Sequence, residues 1–147
     1  MKCVIQKVLN SSVSVSGELI NSIENGLNVL VGFTDTDTIE DINYCVKKIV
    51  NLRVFDDEAG VMNKSVIDVG GSILSISQFT LYGDTKKGNR PSYIKALSGD
   101  KAKPMYLEFN KCLNNYVPTY GGVFGADMVV SITNNGPATI IIDTNNK

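Results

Sequence analysis

The sequence predicts a single α+β domain built on a mostly antiparallel β-sheet with two main helices. Three observations carry that expectation. Apolar residues recur at period 2 in several short runs near both ends and in the middle of the chain. Only two stretches show the helical repeat. Strands and helices do not alternate regularly, as they would in a parallel doubly wound sheet. With 147 residues, 43% hydrophobic and 20% charged, the chain is long enough for one real core and too apolar to be disordered.

The elements follow in order. Residues 2–9 and 11–20 read as two strands; in the second, Val13 and Val15 alternate with Ser12, Ser14 and Ser16 before a turn at Gly17. Asn25-Gly26 predicts a hairpin turn, followed by an apolar strand over Leu27–Phe33. Thr38 and Asp41 have capping-box spacing, and Ile39, Ile42, Val46 and Ile49 then trace one stripe of a helix ending near Leu52. Lys47 and Lys48 fall outside that stripe and read as a solvated face.

Arg53-Val54-Phe55 is a short extended piece, and Asp56-Asp57-Glu58-Ala59-Gly60 an acidic turn that fails the calcium-loop spacing. Gly70-Gly71 starts a strand over residues 73–82. Gly83–Pro91 is a loop carrying Lys86, Lys87 and Arg90. Ser98 or Asp100 caps a second helix, with Pro104 in its first turn and Tyr106, Phe109, Leu113 and Tyr116 as its apolar stripe. Two strands, Met128–Thr133 and Ala138–Asp143, flank a turn at Asn134-Asn135-Gly136-Pro137.

Absences narrow the chemistry. The chain has no histidine, so Ser-His-Asp and Cys-His mechanisms lack their general base. Three widely spaced cysteines, Cys3, Cys45 and Cys112, form no metal or redox motif and read as reduced, buried and inert. No apolar run reaches the roughly 18 residues of a membrane span, and polar residues follow Met1 too soon for a secretory signal. The expectation is a soluble cytoplasmic protein with neither metal nor cofactor.

Three stretches carry candidate chemistry, each with a plain structural alternative. On the predicted strand, Gln78 and Thr80 share one face, an amide beside a hydroxyl, although Thr and Gln also suit ordinary strand ends. Lys86, Lys87 and Arg90 form a local basic patch in a chain of net charge −1, fit for phosphate or simply solvated. Asn135-Gly136 reads as a hairpin turn, but Pro137 removes a ladder donor where a strand should begin. A cis Gly136–Pro137 bond would display two backbone carbonyls in one direction, a sensible polar and steric gate.

Ser77-Gln78-Phe79-Thr80-Leu81 and Asn135-Gly136-Pro137-Ala138-Thr139 resemble the two signature motifs of the D-aminoacyl-tRNA deacylases. Lys48–Arg53, Asp68–Gly71, Lys87–Ser92 and Phe124–Met128 resemble further stretches of that family, so the likeness spans essentially residues 1–147. The resemblance implies one domain with a barrel-like core. It also implies hydrolysis of the ester joining a D-amino acid, or misattached glycine, to the 3′ acceptor end of tRNA.

It further implies a homodimer in which a cis Gly136–Pro137 enters the other subunit's site, captures the substrate amino group and leaves no room for an L side chain. Ser77, Gln78, Phe79 and Thr80 would form the catalytic pocket, with Phe124 against the adenine and Met128 nearby. The basic loop adds a separate expectation, that Lys86, Lys87 and Arg90 contact the tRNA acceptor stem. The lack of a base favours assistance by the ribose 2′-hydroxyl over attack by Thr80, with backbone N–H groups near Phe79 and Thr80 holding the oxyanion. Two positions depart from the family pattern. Ala138 replaces a more usual valine. Lys7 replaces an arginine thought to help orient Gly-Pro; it keeps the charge but not the two-pronged donor geometry. A non-catalytic RNA-binding module and a general esterase with a Thr80 nucleophile are the rival readings.

Overall fold

A computed structural model describes residues 1–147. Its backbone forms eight strands and two α-helices. The strands are β1 (Lys2–Val15), β2 (Glu18–Ile23), β3 (Gly26–Gly32), β4 (Phe55–Asp56), β5 (Met62–Lys64), β6 (Ser72–Ser77), β7 (Thr119–Gly121) and β8 (Val129–Asp143). The helices are α1 (Ile39–Asn51) and α2 (Gly99–Asn114). The main sheet runs β2-β1-β3-β6-β7, with β8 along the other edge of β1. All three pairings of β1 are antiparallel, whereas β3–β6 and β6–β7 are parallel. The fold is therefore α+β with two helices and a mixed, strongly curved sheet. Its curl brings β2 back to β7, where Asn21 Nδ2 donates to the Gly121 carbonyl at 2.6 Å.

Two strands span more than the sequence suggests. Residues 2–15 form one continuous strand, not two, because β1 serves β3 with its first half and β2 with its second. β8 is likewise one strand. Both of its halves pair with β1 in the same direction, so the chain does not reverse at Asn134–Pro137. Asn25-Gly26 is not a tight hairpin either, since β2 and β3 follow one another along the same edge of β1 in one antiparallel register, Ser11–Ile23 passing directly to Val8–Gly26. Gly26 is needed for another reason: a Cβ there would sit 1.9 Å from the Ser72 carbonyl oxygen of the parallel neighbour β6.

Alternation along the strands sets the two cores. Leu27, Val29 and Val31 of β3 and Ile73 of β6 face the helices, joining Ile42, Ile49, Phe109 and Leu113 in the larger cluster. Leu74 and Ile76 point the other way, into a smaller cluster with Val8, Val13 and Ile23. In α1 the capping pair forms as expected, with the Asp41 carboxylate accepting the Thr38 N–H at 2.9 Å. In α2, Ser98 is the N-cap and Pro104 lies inside the helix, beyond the first turn. Tyr106, Phe109 and Leu113 are buried, but Tyr116 lies past the helix end and is 57% exposed. In the acidic turn, Asp57 Oδ1 accepts the Ala59 and Val61 N–H groups, which makes it a turn clamp joining β4 to β5. The three cysteines are free; Cys3 and Cys45 are buried and Cys112 is half-buried.

Candidate active site

The strand predicted over residues 73–82 stops at Ser77, and Phe79–Tyr82 wind into a 3₁₀ turn. Gln78 and Thr80 thus do not project from one strand face. The turn brings them together instead: Gln78 Nε2 donates to Thr80 Oγ1. Gln78 is anchored by its own N–H, which donates to the Val31 carbonyl at 2.7 Å, while its carbonyl accepts the Leu81 N–H at 3.3 Å. The N–H groups of Phe79 and Thr80, first in the turn, precede its own i→i+3 bonds and have no partner within it. A polar N–H without a partner is costly to bury and is available to an incoming oxygen.

Gly32 makes this turn possible. A Cβ at Gly32 would lie 2.8 Å from the Gln78 carbonyl oxygen and 3.3 Å from Leu81 Cβ. Tyr82 ends the turn as a buried post. Its hydroxyl finds no hydrogen-bond partner, and burial, with Asp37 next in effect, holds the phenol well above its ordinary pKa of 10.0. The folded state keeps this proton after the unfolded chain has lost it. The associated stability is therefore full below about pH 10 and lost as pH rises beyond it. Tyr82→Phe is expected to flatten that alkaline loss and to be neutral or stabilising by up to about 1 kcal/mol at pH 7, because it removes an unsatisfied buried hydroxyl. Urea titrations at pH 7 and 10.5 check both statements.

Beside the turn opens a cleft of about 650 Å³, within the range that encloses small-molecule ligands. Ser77, Gln78, Phe79, Phe124 and Met128 line it together. Leu97, Gly99 and Ala102 add the helix α2 side. Phe124 is braced by Tyr106, ring centroids 5.9 Å apart. Tyr106 ties three elements together: its hydroxyl donates to the Ser75 carbonyl at 2.6 Å and accepts the Gly122 N–H at 3.3 Å. Tyr106→Phe takes a hydrogen bond from both groups and should cost about 1–3 kcal/mol. Chemical denaturation measures it. Sequence reading placed Tyr106 in the core stripe and missed this tie, because its partners are backbone atoms distant in the chain.

The other predicted residues stand apart from the cleft. Thr80 is exposed and does not line it. Gly136 and Pro137 are exposed, and the bond between them is cis. The pairing of β1 with β8 passes from Gln6–Thr139 to Val8–Asn134, so Asn135–Ala138 bulge outward opposite Lys7 alone. Lys7 is 7% exposed beneath that bulge. Thr139 Oγ1 donates to the Pro137 carbonyl at 3.1 Å and receives Gln6 Nε2 at 3.5 Å. Lys86, Lys87 and Arg90 are exposed and belong to no ion pair. No three cysteine, aspartate or glutamate side chains gather as a metal-binding group.

The arrangement is a histidine-free cleft with an aromatic wall, set beside the opening of a 3₁₀ turn. Comparison with known proteins makes the assignment specific. The profile of the family described as D-Tyr-tRNA(Tyr) deacylase matches residues 4–143. The D-aminoacyl-tRNA deacylase of Clostridium novyi (strain NT) is 55% identical over 145 residues, covering 98% of this chain and 97% of that protein. The enzyme of the same name from Clostridium tetani (strain Massachusetts / E88) is 54% identical over the same length and shares. Among solved structures, one described as c-Myc DNA Unwinding Element Binding Protein superposes with a TM-score of 0.93 at 42% identity, covering 98% of this chain and 99% of that one. A probable eukaryotic D-amino acid tRNA deacylase shares the fold, with a TM-score of 0.81 at 16% identity over 96% and 97% of the two chains. The chain belongs to the D-Tyr-tRNA(Tyr) deacylase family.

Proposed function

We propose that this protein hydrolyses the ester between a D-amino acid, or misattached glycine, and the terminal adenosine of tRNA, in the cytoplasm and as a homodimer. The observation that carries the reading is the convergence of Ser77, Gln78, Phe79, Phe124 and Met128 on one cleft beside the opening of a 3₁₀ turn. In this reading the adenine lies on Phe124 near Met128, and the scissile carbonyl faces the 3₁₀ turn. Water attacks the ester carbon and the oxyanion is held by the Phe79 and Thr80 N–H groups, each such donor being worth about 3–4 kcal/mol. The attacking water gives a proton to the neighbouring 2′-hydroxyl as that hydroxyl passes its own to the leaving 3′-oxygen, so its fixed position replaces a side-chain base. Thr80 orients: its hydroxyl is already engaged by Gln78, and no base stands ready to activate it.

Chirality needs more than a pocket, since a hydrophobic pocket distinguishes one methylene by only about 1–3 kcal/mol. Gly136–Pro137 of one protomer fills this role in the cleft of its partner, its carbonyls accepting the substrate ammonium and its backbone clashing with an L side chain. Two features support the assembly. The bulge stands clear of its own cleft. β8 also leaves apolar side chains open at both of its ends, Val129 by 69% and Ile141 by 70%, available for contact with a second copy.

Release of amino acid from D-tyrosyl-tRNA and L-tyrosyl-tRNA tests the reading. Fast loss of the D ester alone is expected. Turnover of neither ester would leave a nucleic-acid-binding module, and equal turnover of both, with cleavage of small esters, would leave a general esterase.

A further inference from the structure

Phe79 and Tyr93 stand edge to face at the cleft, ring centroids 5.1 Å apart and planes 76° to one another. Both line the cleft, yet 56% and 40% of their surfaces are open. Neither ring is held in place by chance. Gly83 leaves room for Tyr93, since a Cβ there would come within 3.1 Å of Tyr93 Cε1. Just before Tyr93, Ser92 and Asp84 exchange two backbone hydrogen bonds of 2.8 and 2.9 Å. The Asp84 carboxylate also accepts the Lys86 N–H at 2.9 Å and meets Lys95 Nζ at 3.5 Å. That bridge closes the loop that carries Lys86, Lys87 and Arg90.

The open aromatic pair at the cleft and the three unpaired cations therefore belong to one short stretch, Phe79–Tyr93. Exposed aromatic faces beside cations are how proteins hold single-stranded nucleic acid: bases stack on the rings and phosphates meet the charges. A cleft of this size accommodates one nucleoside with its ester, so the preceding nucleotide must emerge at its rim.

Building on the aminoacyl-adenosine reading of the cleft, we propose that Phe79 and Tyr93 form a stacking platform for the unpaired nucleobase that precedes the terminal adenosine. Lys86, Lys87 and Arg90 face its phosphate side. The platform makes no hydrogen-bond demand on the base edge, so it takes pyrimidine or purine. It contributes to binding of the acceptor end, and not to the choice between D and L.

Three small substrates separate the contributions: D-tyrosyl-adenosine, the D-tyrosyl ester of the cytidylyl-adenosine dinucleotide, and the same dinucleotide with an abasic first residue. For the wild-type protein the full dinucleotide should show a KM about tenfold below that of the adenosine ester, the order expected for one stacked base. The abasic dinucleotide should lose most of that gain. Tyr93→Ala should erase the gain and Tyr93→Phe should keep it. Equal KM values for the adenosine and dinucleotide esters in the wild type would overturn the platform while leaving the deacylase reading intact. So would an abasic dinucleotide as good as the full one, or an unchanged gain in Tyr93→Ala. Hydrolysis of neither these esters nor D-tyrosyl-tRNA would remove the deacylase reading and the platform with it.

Discussion

Gly26→Ala is expected to abolish folding. The added methyl carbon would lie 1.9 Å from the Ser72 carbonyl oxygen and within 2.9 Å of two further backbone atoms of the same residue. Real contacts need more than 3 Å, and backbone in the middle of a sheet cannot swing away as a side-chain tip can. β3 and β6 would have to part by over 1 Å against a spacing of about 4.8 Å, breaking a parallel ladder that runs from Gly26–Ser72 to Val31–Ser77. That ladder carries Leu27, Val29 and Ile73, all fully buried, so the larger core opens with it. A loss above about 4 kcal/mol follows, comparable with the whole stability of many domains. Soluble yield and a urea titration measure it; a loss under about 1 kcal/mol would contradict the β3–β6 register.

Gly136→Ala is expected to act on activity, with folding nearly untouched. Gly136 holds φ +121°, a region closed to L side chains, and a Cβ there would stand 2.7 Å from the Ala138 nitrogen. The bulge is exposed and outside both cores, so the strain is confined to it, at about 1–3 kcal/mol. Its carbonyls must nevertheless move. If they hold the substrate ammonium in the partner's cleft, a displacement of about 1 Å should lower hydrolysis of D-tyrosyl-tRNA roughly 100-fold. A variant that melts normally and hydrolyses the D ester at the wild-type rate would remove the bulge from the mechanism.

Local signals in the sequence were reliable where the local physics decides the outcome. The Thr38–Asp41 cap and the Ile42, Val46 and Ile49 stripe need only neighbours within a turn or two, and α1 forms as they indicate. Elsewhere a distant partner changes the meaning of the same residues. Asn25-Gly26 carries a hairpin signature, but the glycine is there because β6 passes too close for a side chain. Asn135-Gly136-Pro137 carries a turn signature, yet β1 pairs with the chain on both sides of it and converts the turn into a bulge.

The site shows the same division. Ser77, Gln78, Phe79, Phe124 and Met128 do meet at one cleft, although they come from segments more than 40 residues apart. The form in which Gln78 and Thr80 meet was not legible. Strand periodicity puts them side by side on one face, whereas the turn after Ser77, anchored at Val31 and given room by Gly32, brings them together. Tyr93 carried no motif of its own; only its position across from Phe79 gives it a role.

The most direct measurement is the single-turnover rate of D-tyrosyl-tRNA hydrolysis by wild-type protein and Thr80→Ala, with folding and tRNA binding checked for both. A site that works through backbone donors and the substrate's own hydroxyl predicts that Thr80→Ala slows the reaction but keeps measurable turnover of the D ester. Complete loss of turnover in a folded, tRNA-binding Thr80→Ala, together with a tyrosyl adduct on Thr80 in the wild-type protein, would contradict the account and make Thr80 the nucleophile.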